Sequence, residues 1–180
     1  ALKGRLRRFN KNAIQTKEEC KYFPKDRNEL KDLIKQRVKE DPNCDLNDVW
    51  VGDIKDMTYL FGQIVFSDDE TSFNGDISRW DVSNVEVMSS MFYGSIFNGD
   101  ISNWNVSNVK AMNWMFHLSR FNGDISKWDV SRVEYMIGIF HTCSFNGDIS
   151  DWDIRNVKDM RVMLNDCQLR YNPPRWYKGE

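Results

Sequence analysis

The sequence predicts an α/β solenoid of right-handed coils. Its short parallel β-strands lie on a concave face, its short helices on a convex face, and a helix caps its N-terminus. Two observations support this. Phe-Asn-Gly-Asp-Ile-Ser occurs four times, from Phe73, Phe97, Phe121 and Phe145, at a period of 24 residues. In each copy the apolar spacing then changes from two residues to three and four, as in a strand followed by a helix. Such small units bury their apolar residues only against neighbours, so stacking is expected.

One coil is predicted from the second copy. Trp104 and Val106 alternate with polar residues, which predicts a short strand that points both side chains inward. The next apolar residues recur at helical spacing: Val109, Met112, Met115 and Phe116. Ser-x-x-Glu at the start of this segment in the first and third copies is typical of a helix capping box. Asn-Gly ahead of the strand is turn chemistry, because Gly tolerates positive φ.

The N-terminal part divides into a basic arm and a capping region. Residues 1–12 form the arm, which is a docking segment for phosphates or an acidic surface or, as favoured, a solvated tail. Its cations are Lys3, Arg5, Arg7, Arg8 and Lys11. In the capping region, 13–44, Asp26-x-x-Glu29 resembles a capping box and predicts a helix at about 27–40. Its apolar stripe is expected to cover the first coil.

The remaining boundaries follow from the register. Residues 45–72 are predicted to be a degenerate first repeat with an acidic insertion within Gly62–Ser72. Extra length is best tolerated in a loop, so we expect a loop there. Residues 73–168 are four 24-residue repeats. Residues 169–180 are a closing half-repeat, because Pro173 and Pro174 replace the residues that would pair in a further coil.

Composition excludes several classes. The chain has 180 residues and a formal charge of −2, with basic residues concentrated in the first 40. It has no apolar run long enough for a membrane span and no visible signal peptide. No Ser/His/Asp set, phosphate-binding Gly loop or acid–base pair stands outside the repeats, so we expect no enzyme activity and no cofactor. Four cysteines are too few for a disulfide scaffold.

The repeat resembles the leucine-rich repeat pattern Leu-x-x-Leu-x-Leu, here Ile101-x-x-Trp104-x-Val106, and especially the BspA-like leucine-rich repeat surface proteins. Phe140-x-x-Cys143 matches that family's Phe-x-x-Cys. The 24–26-residue Phe-Asn-Gly-Asp-Ile-Ser-x-Trp-Asp-Val-Ser-Asn-Val variant resembles a domain of unknown function from mycoplasmas and other bacteria. The resemblance covers about residues 26–178. It implies a leucine-rich-repeat-like fold and a binding or adhesion module, often at a bacterial surface, with no catalytic residues.

The candidate partner-binding site is the set of polar residues that the strand pattern points outward on the concave face. In the column of Arg79, Asn103, Lys127 and Asp151 the chemistry varies between copies, while the flanking Trp does not vary. The set is Arg79, Asp81, Ser83, Asn103, Asn105, Ser107, Lys127, Asp129, Ser131, Asp151, Asp153 and Arg155. Asp81 and its equivalents either attract a cationic partner or metal ion or bond locally to turn amides. We expect no specific metal site.

Four other repeated positions each have two interpretations. Asp76 and its equivalents beside Asn-Gly bind calcium or, as favoured, close a turn. His117 and His141 hold zinc or, as favoured, form a surface column. The repeated Trp residues offer a carbohydrate platform or, as favoured, point inward. Cys143 and Cys167, one period apart, form a disulfide or, as favoured, continue a column of small residues.

These observations predict a non-enzymatic protein-binding or adhesion module. The alternative is a structural component of a viral or cell-surface assembly, docked through the basic arm. A weaker alternative is a toxin-neutralising binder that uses the excess of Asp and Glu over Lys and Arg in residues 41–180. Nucleic acid is not expected as a partner, apart from weak contact through the arm. The partner's identity, the compartment and the oligomeric state stay open.

Overall fold

The computed structural model describes residues 13–62 and 73–179. The predicted basic arm and all but the first residue of the acidic insertion lie outside these ranges. The described residues contain one α-helix, α1 (Arg27–Glu40), and two 3-10 turns at Lys17–Glu19 and Gln168–Tyr171. Parallel pairing is confined to isolated bridges. The predicted α/β solenoid, with strands on one face and helices on the other, is therefore wrong.

Turns replace the predicted strands. On either side of Trp104 and Val106 the backbone closes two tight turns, in which Trp104 N donates to Ile101 O at 3.2 Å and Val109 N to Val106 O at 2.9 Å. These amides are used within the unit and cannot form a ladder with the next one. Trp104 and Val106 are both buried, as the alternation predicts. The pattern located the inward side chains but not the backbone conformation.

The predicted short helices are also absent, because the backbone turns left-handed within them. Trp114 has φ 58°, and Ser90, Gly138 and Val162 at equivalent positions have φ 56°, 57° and 52°. Such a residue cannot continue a right-handed helix. The amides of Met112 and Trp114 instead donate to Tyr135 O and Ile137 O of the next unit, each at 2.8 Å.

The 24-residue units stack in register through these bonds. Parallel bridges link the equivalent residues of successive units, namely Asp56, Val87, Ala111, Tyr135 and Asp159. The degenerate unit joins the same series, since Met57 N donates to Val87 O and Phe61 N to Met91 O, each at 2.9 Å. Repeated side chains such as Phe92 and Phe116 thereby meet their equivalents in the neighbouring unit.

Two columns of phenylalanine rings fill the core. One column starts at Phe73 and continues through Phe97, Phe121 and Phe145, with centroid separations of 5.8, 6.4 and 6.3 Å. The second runs through Phe61, Phe92, Phe116 and Phe140 at 5.5, 5.6 and 5.8 Å. All eight rings are buried. Burial of large aromatic side chains is a principal source of stability in a chain with little regular secondary structure.

Helix α1 lies where the sequence predicts a helix. Asp26 caps its N-terminus, because its Oδ1 accepts from Asn28 N at 2.8 Å and from Glu29 N at 3.0 Å. Leu30, Ile34 and Val38 form its buried stripe and join the same core cluster as the repeats. Truncating such a cap typically costs about 1 kcal/mol.

Candidate functional site

The first outward column of the predicted site divides in two. Arg79 is held by the N-terminal segment: its Nε donates to Ala13 O at 2.8 Å, and its guanidinium pairs with Glu19 at 2.7 Å. Its equivalents Asn103, Lys127 and Asp151 are exposed. No hydrogen bond holds these three side chains in the described part of the chain. Arg79 therefore holds the N-terminal segment against the repeats, and only its three equivalents are available to a partner.

The second outward column is engaged locally. Asp81, Asn105, Asp129 and Asp153 each accept, through Oδ1, the amide two residues later, at 3.0–3.2 Å. Those amides belong to the remaining predicted residues, Ser83, Ser107, Ser131 and Arg155. Arg155 also pairs with the Asp153 carboxylate at 2.7 Å. The side-chain and backbone hydrogen bonds from Arg155 lower the pKa of Asp153 to about 2. The local-bond interpretation of this column is confirmed.

The Asp side chains beside Asn-Gly also accept backbone amides within their own turns. Asp76, Asp100, Asp124 and Asp148 each accept the Ser amide two residues later, at 2.9 Å. This amide and the serine hydroxyl lower the pKa of Asp124 and of Asp148. No group of three or more His, Cys, Asp or Glu side chains suited to a metal ion occurs among residues 13–62 and 73–179. Turn closure accounts for the repetition of these carboxylates.

Tryptophan and asparagine side chains supply hydrogen bonds between units. Each repeat Trp donates its indole N–H to an Ile or Leu carbonyl of the preceding unit, at 2.9–3.1 Å; the donors are Trp80, Trp104, Trp128, Trp152 and Trp176. Asn74, Asn98 and Asn122 each accept, through Oδ1, the amide of the next Asn in the column, at 2.8–2.9 Å. The first four Trp rings are buried, which rules them out as a carbohydrate platform.

Charged side chains form a further column that the sequence reasoning missed. Equivalent positions carry Lys55, Glu86, Lys110, Glu134 and Lys158, with signs that alternate along the stack. Glu86 pairs with Lys110 at 2.7 Å and with Lys55 at 3.8 Å, and Lys158 pairs with Glu134 at 2.5 Å. The alternation of Lys and Glu along this column could have been read from the sequence. Because these charges form ion pairs between neighbouring units, the column helps to hold the units together.

The two histidines are half-buried and in contact. His117 Nδ1 lies 2.8 Å from His141 O and 3.0 Å from His141 Nδ1. Tyr93 and Trp114 pack edge-on against His117, with centroids at 4.9 and 5.2 Å. Burial lowers the pKa of His117. The surface-column interpretation is closest to this arrangement, since no third metal-ligating side chain joins the pair among the described residues.

An open cleft of about 730 Å³ lies beside these rings. Its apolar lining comes from Trp114, Ile137, Met160 and Tyr177, and its rim includes Lys158 and Arg161. Both cations are paired, with Glu134 and Asp159 respectively. The cleft therefore offers mainly aromatic and apolar contact. Sequence reasoning missed it, although Trp114 is a Trp outside the repeat's Trp column and could have been noticed.

Comparison with known proteins places the chain in a family without assigning an activity. The model of a family described as Mycoplasma protein of unknown function, DUF285, matches residues 31–119 and 55–176. No curated protein and no solved structure shows significant similarity to the chain. No helix among the described residues is both long and apolar enough to cross a membrane. Because the two matches together cover most of its length, the chain belongs to the DUF285 family.

Proposed function

We propose that the chain is a non-enzymatic protein-binding or adhesion module. The observation that supports this best is the column of Asn103, Lys127 and Asp151, which we call the variable column. Its members are exposed and differ in chemistry, although they occupy equivalent positions in successive units. Their neighbours in the frame, by contrast, are repeated and hydrogen-bonded. A surface that varies on a fixed frame is suited to recognition, because its polar groups can be changed without disturbing packing.

The resemblance of the repeat to BspA-like surface proteins supports the same proposal. That resemblance is to proteins that act in binding or adhesion, and it implies no catalytic residues. The Asp side chains in the columns of Asp76 and Asp81 accept turn amides. A catalytic carboxylate would need an environment different from that of its equivalents. Binding through the variable column requires no such environment.

A substitution set with a matched control tests the proposal. A partner captured on the immobilised chain and identified by mass spectrometry would be measured by surface plasmon resonance. Asn103→Ala/Lys127→Ala/Asp151→Ala should weaken its affinity at least about tenfold, which corresponds to a loss of about 1.4 kcal/mol of binding free energy. The control set is Gln36→Ala/Lys39→Ala/Glu40→Ala, which removes the same chemistry from exposed positions of α1. Equal affinities for both sets would exclude this face as the binding site.

Deleting residues 1–12 distinguishes the alternative of an assembly component docked through the basic arm. Binding through the variable column should survive the deletion. If binding is lost on deletion and is unaffected by the triple substitution, the arm docks the protein and the column does not. A complex that depends steeply on salt and not on either change would favour a toxin-neutralising binder.

A further inference from the structure

Cys143 and Cys167 occupy equivalent positions in two adjacent units. The backbones beside them are paired: Phe140 N donates to Met163 O at 3.1 Å, and Thr142 N to Asn165 O at 2.8 Å. Backbones hydrogen-bonded in this way lie about 4.8 Å apart. A disulfide spans Cα separations of about 4.4–6.8 Å. The register of the stack therefore holds the two cysteines at a separation that a disulfide can bridge.

Both thiols are free and buried, with 8% and 3% exposed. In the preceding units the same column carries Ser95 and Ser119, whose hydroxyls accept the amide two residues later, at 3.1 and 3.4 Å. Cys143 Sγ accepts the equivalent amide at 3.3 Å. A serine hydroxyl accepts this amide as well as a cysteine sulfur does. Accepting the amide therefore does not explain why two consecutive units carry cysteine.

We propose that Cys143 and Cys167 form a reversible disulfide, a redox modification site that fastens the third full repeat to the fourth. Cys167 is the attacking thiol. The neighbouring Cys143 thiol lowers the pKa of Cys167, against the opposing effect of burial, while the pKa of Cys143 is raised. A lower pKa increases the fraction of thiolate, which is the nucleophilic form.

A peroxide is the oxidant that fits a buried pair, because it is small. The Cys167 thiolate attacks one peroxide oxygen, the O–O bond breaks, and the departing hydroxide takes a proton to become water. Cys167 is then a sulfenic acid. The Cys143 sulfur attacks the Cys167 sulfur and displaces hydroxide, which takes the Cys143 proton as a second water. Two thiols and one peroxide thus yield one disulfide and two waters, and a dithiol reductant reverses the change.

The test uses the full chain with Cys20→Ser and Cys44→Ala, so that only the proposed pair can react. Hydrogen peroxide near neutral pH should remove two hydrogen atoms from the intact mass and yield one peptide that joins Cys143 to Cys167, and dithiothreitol should restore both. Closing this loop should raise Tm by roughly 5–10 °C. Oxidation of the two thiols to separate sulfinic acids, or a disulfide that leaves Tm unchanged, would overturn the proposal.

Shifting the pair along its own column provides the matched control. In the same background, Ser119→Cys/Cys167→Ser places the cysteines on the adjacent third and second full units, and the same disulfide should form. Ser95→Cys/Cys167→Ser leaves Cys143 and the new cysteine two units apart, beyond disulfide reach, and should give none. Ser is native to this column, so these variants should fold. If the two variants formed a disulfide at equal rates, the idea that the register of the stack positions the cysteines would be wrong.

Discussion

Replacing Trp128 with Phe tests whether the indole column stabilises the stack. Trp128 is 4% exposed, and its Nε1 donates to Ile101 O at 3.1 Å. Ile101 O also accepts from Trp104 N at 3.2 Å, so the substitution leaves this carbonyl with one partner. The lost bond should then cost about 1 kcal/mol, the low end for a buried polar group. The smaller ring buries roughly 50 Å² less, worth about 1–1.5 kcal/mol. We expect Trp128→Phe to destabilise the chain by about 2–3 kcal/mol.

The assay is urea unfolding followed by intrinsic fluorescence, with calorimetry as a second probe. For a chain of this length the expected loss lowers Tm by roughly 4–12 °C. Trp176→Phe is the matched control, because Trp176 makes the same bond to Ile149 O at 3.1 Å but is only half-buried at the end of the stack. It should cost about 1 kcal/mol or less. If the two variants lost equal stability, or if Trp128→Phe cost under about 1 kcal/mol, the energetic role assigned to the buried indole would be wrong.

Two further predictions concern the other columns. Asn122→Ala removes the acceptor of the Asn146 amide and should cost about 1 kcal/mol by urea unfolding. Asn146→Ala should cost less, because its Oδ1 accepts no bond in the described part of the chain; equal costs would contradict the ladder. Burial lowers the pKa of His117 below 6.5, so as pH falls below about 6.5 the unfolded chain binds the proton first and the folded chain loses stability. Measured Tm values should therefore fall less on acidification for His117→Asn, which copies Asn165 of the same column, and equal falls would refute this.

The side of the chain that faces the core could be predicted from the sequence, but the backbone path could not. Apolar spacing located Trp104 and Val106 inside, because a repeated residue must meet its equivalent in the next unit. The same spacing failed to distinguish a helix from consecutive turns, since both place residues three or four apart on one side. Val162 takes φ 52° although β-branched residues rarely do so. Only the amide pairing between units requires that conformation, and pairing between units is not a property of local sequence.

In the candidate site, too, some contacts could be predicted from the sequence and others could not. Local bonds such as that from Ser83 N to Asp81 could be expected, because both partners lie within three residues. The engagement of Arg79 could not, since Ala13 and Glu19 are 66 and 60 residues away in the chain. A functional interpretation of a repeat column therefore depends on which members contact non-repeated segments. Arg79 is the member next to the N-terminal segment, so its loss from the predicted surface follows from its place in the stack.

The distribution of hydrogen bonds in the repeat connects stability with function. With one α-helix and no continuous sheet among the described residues, the units are joined by short runs of backbone bonds and by side-chain ladders. Repeated Trp, Asn and Asp residues serve these ladders or close turns. The column of Asn103, Lys127 and Asp151 takes part in neither, which is why we propose it for recognition. The fourth full unit is followed only by the closing half-repeat, whose Trp176 donates to Ile149 O. A covalent link between Cys143 and Cys167 would therefore hold this unit to the third one at the end of the stack, where neighbouring contacts are fewest.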